Sequence, residues 1–398
     1  MVTRDKVVPV DLCQFFTADD CCDALISEIG SVSPRSVVDV GAGHGNLAGA
    51  AIRRWGRIDL KLLDVDRIAM ARLKSVFPAA EQVRANLLLP RMPEELAHCV
   101  DHADIALCNP PFKDVPLITA DYWLKRVDMP TDWSAHIRQR AETVFLAHNL
   151  RLLKIDGELA MILPACFING HHFLPFRQWL LRRMTVTKVV RLPRRAFRRA
   201  EVNTFAIIAR NCVPRTSYPV ELIDLAGIGS KYRSVSVSNA DGALRLDIAS
   251  HEVLPQRISL QLKDLAPKIS RGRAVSELRE FGAHFFHTTH FNQVSGRGNL
   301  CFPHAAINSE WNTAEPGDLL LGRVGRTSHN QVAKVLRGIS HFSDCVYRVR
   351  VAAHLRSAVF ESLWSADGIA WRAGKARGST VAVLSKSDLL EHPIWIDK

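Results

Sequence analysis

The sequence predicts an α/β protein, a parallel sheet layered by helices, with a second, smaller domain of mixed β or α+β character after it. Three observations carry that expectation. Short β-branched runs alternate with helical segments from Ser36 to about Arg210. The first of these runs, SVVDV, leads directly into the glycine-rich turn GAGHG. From about Asn211 the alternation stops, and short strand-like runs sit among turns. Strands alternating with helices in this way build parallel sheets that bind ligands at the carboxyl ends of their strands.

Each element has its own local reason. Thr17 opens the segment CCDALISEI, Asp20 stands at the reciprocal capping position and Gly30 closes it, so a helix with a defined start is expected. SVVDV reads as a strand, NLAGAAIRRW as a helix and IDLKLLDVD as a second strand ending in acids. Residues 67–75 read as a helix, VRANLLL as a strand end and ADIALCNPPF as a strand ending in a rigid proline turn. Ala141–Leu153 is expected to be a helix, Gly157 a turn and ELAMILP a strand. VTKVVRLP and NTFAIIAR read as two closing strands around the basic segment RRAFRRAE. RSVSVSNADGALRLDI, PGDLLLGRVG and DCVYRVRV are assigned to short strands of the second domain. The expected division is a leading segment over 1–30, a sheet domain over 31–211 and a second domain over 212–398.

Composition narrows the function classes. The 398 residues are 47% hydrophobic and 23% charged, the balance of a folded chain rather than a disordered one. No apolar run approaches the roughly 20 residues of a membrane span, so no membrane partner is expected. The start, MVTRDKVVPVDLCQFF, lacks the apolar core of a secretory signal. Nine cysteines are scattered without a CxxC pair. This argues against a zinc ribbon or a disulfide framework and for a reducing, cytoplasmic compartment. Lys and Arg total 52 against 40 Asp and Glu, a net charge of +12. The excess is shared equally, +6 before and +6 after the Arg210/Asn211 junction. A polyanion touching both halves would account for it, nucleic acid being the first candidate.

Two motifs carry chemistry. In Asp39-Val-Gly-Ala-Gly-His-Gly45 the glycines let the backbone turn sharply and approach a ligand closely. The GxGxG spacing lacks the third glycine of the dinucleotide fingerprint, and no Gly-Lys-Ser/Thr follows, so it is not a phosphate loop. An acid just before the first glycine suits a cationic ligand group such as a sulfonium or ammonium. Asp64, at the end of the second strand, is placed to accept from ribose hydroxyls. The second motif is Asn109-Pro110-Pro111-Phe112. Two prolines stiffen the turn and remove two backbone donors, leaving the Asn109 side-chain oxygen and the Pro110 carbonyl to accept from one planar NH2 group. Phe112 offers a flat face for an aromatic base.

In the order FFT, DVGAGHG, LLDVD, ANLL, NPPF, LRLLKIDGELAMILP and RRAFRRAEVNTFAII, about residues 14–210 resemble the gamma-class N6-adenine DNA methyltransferases of restriction-modification type. The resemblance implies a Rossmann-like methyltransferase domain, followed by a target-recognition domain. S-Adenosylmethionine is the implied cofactor and double-stranded DNA the implied substrate, with a cognate restriction endonuclease as a further partner and a cytoplasmic, nucleoid-associated location.

The resemblance assigns Phe16 and Thr17 to a segment closing over the cofactor, with Asp39, Gly41, Gly43, Asp64 and Asn109 around it. Asn86-Leu87 stands where the family usually carries Asp-Phe, so the hydrogen bond to the cofactor's adenine is expected from an uncharged group. Phe197 is implied as a second aromatic wall for a flipped base, opposite Phe112. Between Arg177 and Arg210 ten basic residues face one acid, Glu201. With Phe197 beside them, Arg194, Arg195, Arg198 and Arg199 read as phosphate contacts. EPGDLLLGRVGRTSHNQVAKV resembles segments of target-recognition domains in restriction-modification specificity proteins, which brings in Arg323 and Arg326. His284, His287 and His290 recur at spacings of three without a Cys or acid to complete a ligand set, so no metal site is expected. Rival readings are an NPP-type methyltransferase acting on guanine N2 of RNA or on protein glutamine, and a catalytically silent DNA-binding subunit.

Overall fold

A computed structural model of the chain describes residues 19–91, 93–193, 203–212, 214, 219–225, 233–251, 260–294, 296–303, 307–378 and 381–395. The chain divides into two compact units, Met1–Ile248 and Ala249–Lys398.

The first unit is built on nine strands in the spatial order β3-β2-β1-β4-β5-β7-β6-β8-β9. They are β1 (Ser36–Val40), β2 (Asp59–Asp64), β3 (Glu81–Arg84), β4 (Ala103–Cys108), β5 (Leu153–Pro164), β6 (Thr185–Arg191), β7 (Thr204–Arg210), β8 (Val220–Asp224) and β9 (Arg233–Val237). The helices are α1 (Asp19–Ser27), α2 (Asn46–Trp55), α3 (Arg67–Val76), α4 (Leu117–Leu124), α5 (Ala135–Arg138), α6 (Ala141–Leu152), α7 (Ala165–Asn169), α8 (Leu174–Arg183) and α9 (Asn239–Leu244). β1 to β5 pair in parallel, and β7 enters antiparallel between β5 and β6. This is the expected Rossmann-like α/β sheet.

All five residues of β1 are buried, because helices cover both sheet faces. Val38 and Val40 point into one apolar cluster with α4 and α6, and Val37 into the other with α1 and α2. The strand order reverses at β1 and β4, which are neighbours although α2, β2, α3 and β3 separate them in the chain. Ligands of such sheets bind in the crevice at that reversal.

The structure departs from the sequence reading in three places. Gly157 is not a turn before β5 but lies within it. The pairing of β4 with β5 slips between Ala103↔Leu153 and Ile105↔Glu158, and Gly157 falls in that bulge, where a β-carbon would meet the Ala103 carbonyl at 3.0 Å. RSVSV is β9 and NADGAL is α9, so both belong to the first unit. That unit consequently runs past 211 to Ile248, because β8 pairs with β6 and β9 with β8.

The second unit holds a five-stranded sheet in the order Lys268–Arg271, Val346–Arg350, Leu319–Gly322, Val332–Arg337, Asn299–Cys301, and a three-stranded sheet. Helices Arg356–Trp364 and Ala366–Lys375 follow the strands, so the character is α+β. Buried Asp318 takes a two-pronged hydrogen bond from Arg350, at 2.6 and 2.7 Å, within this sheet. Among the described residues of the chain, no helix is long and apolar enough to cross a membrane.

Candidate active site

The reversal between β1 and β4 opens a cavity of about 510 Å³. Its floor is the glycine turn. Gly41, Gly43 and Gly45 all take positive φ, at 82°, 53° and 80°, a conformation that side chains disfavour. A β-carbon at Gly41 would sit 3.0 Å from the Phe145 ring and 3.8 Å from the Asn109 carbonyl, so glycine there also keeps the floor open. The turn is fastened to β2: the Gly41 and Ala42 amides both donate to the Leu63 carbonyl at 2.9 Å.

Two acids meet at this turn with different hydrogen-bond partners. Asp64 uses one carboxylate oxygen to accept from the Gly43 amide at 2.7 Å and the other to accept from the Asp66 amide at 2.8 Å. It therefore braces the turn, with lone pairs left over for a ligand hydroxyl. Asp39 is 1% exposed. Neither of its carboxylate oxygens accepts a hydrogen bond of normal geometry. Burial pushes its carboxyl up to about 7; the Ala48 amide gives partial relief, and the charge of Asp64 adds to the shift.

The opposite wall comes from the β4 end and the segment after β3. Asn109, Pro110 and Pro111 line the cavity, as do Asn86 and Leu87. The Asn86 side-chain oxygen accepts from the Leu88 amide at 3.1 Å, closing a tight turn that exposes the Asn86 side chain. The structure thus brings together Asp39, Gly41, Gly43, Asp64, Asn86, Leu87, Asn109 and Pro110, as the sequence reading proposed. Phe112 is placed differently. It is absent from the cavity lining, and its half-buried ring packs on the apolar cluster around α1 and α2. Phe16, Thr17, Arg194, Arg195, Phe197, Arg198 and Arg199 lie outside the described residues.

Sequence reasoning missed Phe145, Lys113, Arg67 and Arg84, all on the cavity wall. No periodic signal marks Phe145, because every residue of α6 except Arg151 is buried. In the second unit, Arg326 is exposed, while Arg323 is half-buried and donates from Nε to the Asp344 carbonyl at 2.7 Å. His290 accepts from the His287 amide at 3.1 Å within one turn, and the His287 ring pairs with the hydroxyl of Ser343, 56 residues on, at 2.7 Å. The Glu81, His98 and Cys99 ligand atoms lie within 4.8 Å of one another, but the Lys61 ammonium already pairs with Glu81.

Comparison with known proteins agrees with this geometry. Residues 16–124 match the Methyltransferase small domain family, and residues 87–239 match the N-6 DNA Methylase family. The chain is 26% identical over 201 residues to the type II methyltransferase M.BsuBI of Bacillus subtilis, a match covering 44% of this chain and 38% of that protein. The chain therefore spans well under two thirds of that relative's length. In fold it is similar to the type IIG restriction endonuclease BpuSI, with a TM-score of 0.52 and 12% identity over 96% of this chain and 59% of that one. These matches bear out the resemblance to restriction-modification N6-adenine DNA methyltransferases. In sequence, residues 87–239 are thus similar to the N-6 DNA Methylase family, and they lie on the sheet described above.

Proposed function

We propose that the chain is a site-specific DNA methyltransferase that moves a methyl group from S-adenosylmethionine to N6 of an adenine flipped out of duplex DNA. One observation supports this reading: the Asn109-Pro110 turn, the glycine turn and the buried carboxyl of Asp39 line one cavity. The residues present fit the cofactor. Asp39 suits its positive amino-acid end, Asp64 its ribose hydroxyls, and the Asn86–Leu88 wall its base. When bound, S-adenosylmethionine supplies an electrophilic methyl group.

The chain's own part is to prepare the nucleophile. The N6 lone pair of adenine is delocalised into the ring. The Asn109 side-chain oxygen and the Pro110 carbonyl accept its two hydrogens and draw the nitrogen toward tetrahedral geometry, which localises the pair for attack. No general base is required before attack. Flipping the base costs a few kcal/mol, offset by stacking on aromatic side chains; Phe197 is the assigned face, and Phe112 joins it only by leaving the apolar cluster on which its ring packs. The second unit chooses the sequence through basic side chains such as Arg323 and Arg326. A cognate restriction endonuclease in the same cytoplasm is the partner class this activity implies.

Tritium transfer from labelled S-adenosylmethionine to duplex DNA tests the activity. Single-molecule sequencing of DNA from a methylation-free host expressing the protein tests the base. N6-methyladenine at one recurring sequence supports the reading; label appearing only in RNA or protein overturns it. A separate expectation concerns affinity. Neutralising two of Arg194, Arg195, Arg198 and Arg199 should weaken binding to all DNA sequences alike. It should also flatten the slope of log affinity against log salt by about two units. An unchanged slope would remove this run from the phosphate contacts.

A further inference from the structure

Three successive carbonyls, the first two on residues that line the cavity, are each taken by a buried side chain from a neighbouring helix. His148 Nε2 donates to the Leu87 carbonyl at 2.8 Å, Thr119 Oγ1 to Leu88 at 3.1 Å and Trp123 Nε1 to Leu89 at 2.9 Å. Thr119 and Trp123 stand one turn apart on α4, and His148 is on α6. All three are at most 2% exposed. The His148 ring rests on Trp123 with centroids 3.8 Å apart. The amide side of the wall is also satisfied: Leu88 donates to the Asn86 side chain at 3.1 Å and Leu89 to the Asn86 carbonyl at 3.4 Å.

Buried polar side chains in a core ordinarily satisfy scattered backbone groups. Here they converge on three consecutive residues, of which Leu87 and Leu88 line the cavity. α6 also reaches another wall, and α4 is joined to one through the chain. α4 starts five residues after Phe112, and the intervening stretch is pinned to the start of α6 by Val115–Gln139 and Ala141–Lys113 backbone bonds, each 2.9 Å. On α6, one turn before His148, Phe145 faces Gly41. We infer that Thr119, Trp123 and His148 are positioning residues, a carbonyl brace that holds the Leu87–Leu89 wall and ties its place to the Asn109–Phe112 turn. The inference rests on reading this cavity as the cofactor site. Pre-organised walls of this kind raise affinity by removing the cost of ordering a loop on binding.

The test uses Thr119→Val, which keeps the side-chain shape and removes one donor, and Thr119→Ser, which restores the hydroxyl. Trp123→Phe removes a second donor independently, and His148→Gln keeps an N–H at the same reach. Amide hydrogen exchange at Leu88 and Leu89, calorimetric binding of S-adenosylhomocysteine and kcat at saturating cofactor are measured on the full chain. Thr119→Val and Trp123→Phe should exchange faster at both amides and bind the probe roughly five- to tenfold more weakly, with kcat changed less than about twofold, since the brace touches no reacting atom. Thr119→Ser and His148→Gln should return toward wild type. Unchanged exchange in folded Thr119→Val and Trp123→Phe overturns the brace. Faster exchange in those variants, in a wild type that binds no S-adenosylhomocysteine, overturns the cofactor reading and leaves the brace standing.

Discussion

In the Asn109→Ala protein, methyl transfer to duplex DNA is expected to fall by about two to three orders of magnitude, the scale seen when one preorganised polar group is taken from a reacting centre. Cofactor affinity and DNA affinity should change little. The reason lies in position. Asn109 follows directly on Cys108, which pairs with Val40 of β1, so its backbone is held by the sheet rather than by its side chain. Removing the side chain costs the amino group an acceptor and leaves the glycine turn and the Pro110 carbonyl in place. Phe112→Ala should act on another step. If the ring swings from the apolar cluster to stack on the extruded base, its loss withdraws about 1–3 kcal/mol from the flipped state. Fluorescence of 2-aminopurine at the target position should report that loss in Phe112→Ala more than in Asn109→Ala. Near-normal turnover by Asn109→Ala would discard the amino-group mechanism, and with it the chief support for adenine.

Asp39→Asn should produce a second large effect, with opposite signs in the free and bound protein. An acid whose folded-state pKa lies above its unfolded value holds its proton longer in the fold. With Asp39 raised from 3.8 to about 7, the folded chain binds the extra proton between those limits. Stability of the ligand-free protein therefore falls as pH rises from about 4 to 7, and the full penalty is in place above 7. At about 1.4 kcal/mol per unit, that penalty is at most on the order of 4 kcal/mol. Asparagine has no charge to bury, so the ligand-free variant should melt higher at pH 8 than the wild type.

Cofactor binding should move the other way. A cation pairs with the ionised carboxylate, so wild-type affinity should rise about tenfold from pH 6 to pH 8. The variant should lose that dependence and bind at least about a hundredfold more weakly. Thermal melts with and without S-adenosylmethionine, repeated across pH, check both halves. A variant that is less stable at pH 8 and binds as well as wild type would make Asp39 a packing residue only.

The parts of this protein legible in its sequence are those set by neighbours along the chain. A β-branched run, an acid and three glycines specify a strand and its turn wherever they occur, so Asp39, Gly41 and Gly43 could be placed before any coordinates. The two prolines likewise restrict the turn after β4. What could not be read depends on distant partners. Phe145 sits on a helix buried on all sides, where no face stands out. The hydroxyl of Thr119 and the imidazole of His148 matter because of a loop 31 and 61 residues earlier. The Phe112 ring is a further case: local sequence determines that the turn is stiff, but not toward which cluster the next ring points. β8 and β9 escaped assignment to the first unit because β8 joins through parallel pairing with β6, which leaves no hairpin signature.

That last arrangement has a practical side. β6 is an inner strand because β8 covers it, and Asp224 of β8 receives both Arg191 of β6 and Arg233 of β9. A chain cut at Asn211, where the change in sequence character invites it, would strip that cover and turn β6 into a bare edge. Val186, Val189 and Val190 would then lie along a row of unsatisfied amides and carbonyls, the template on which strands of separate molecules add to one another. Such a fragment should precipitate or form concentration-dependent oligomers in light scattering, whereas one ending at Ile248 should stay dispersed. For this protein, the last two strands of the sheet act as a guard against self-association as much as a part of its core.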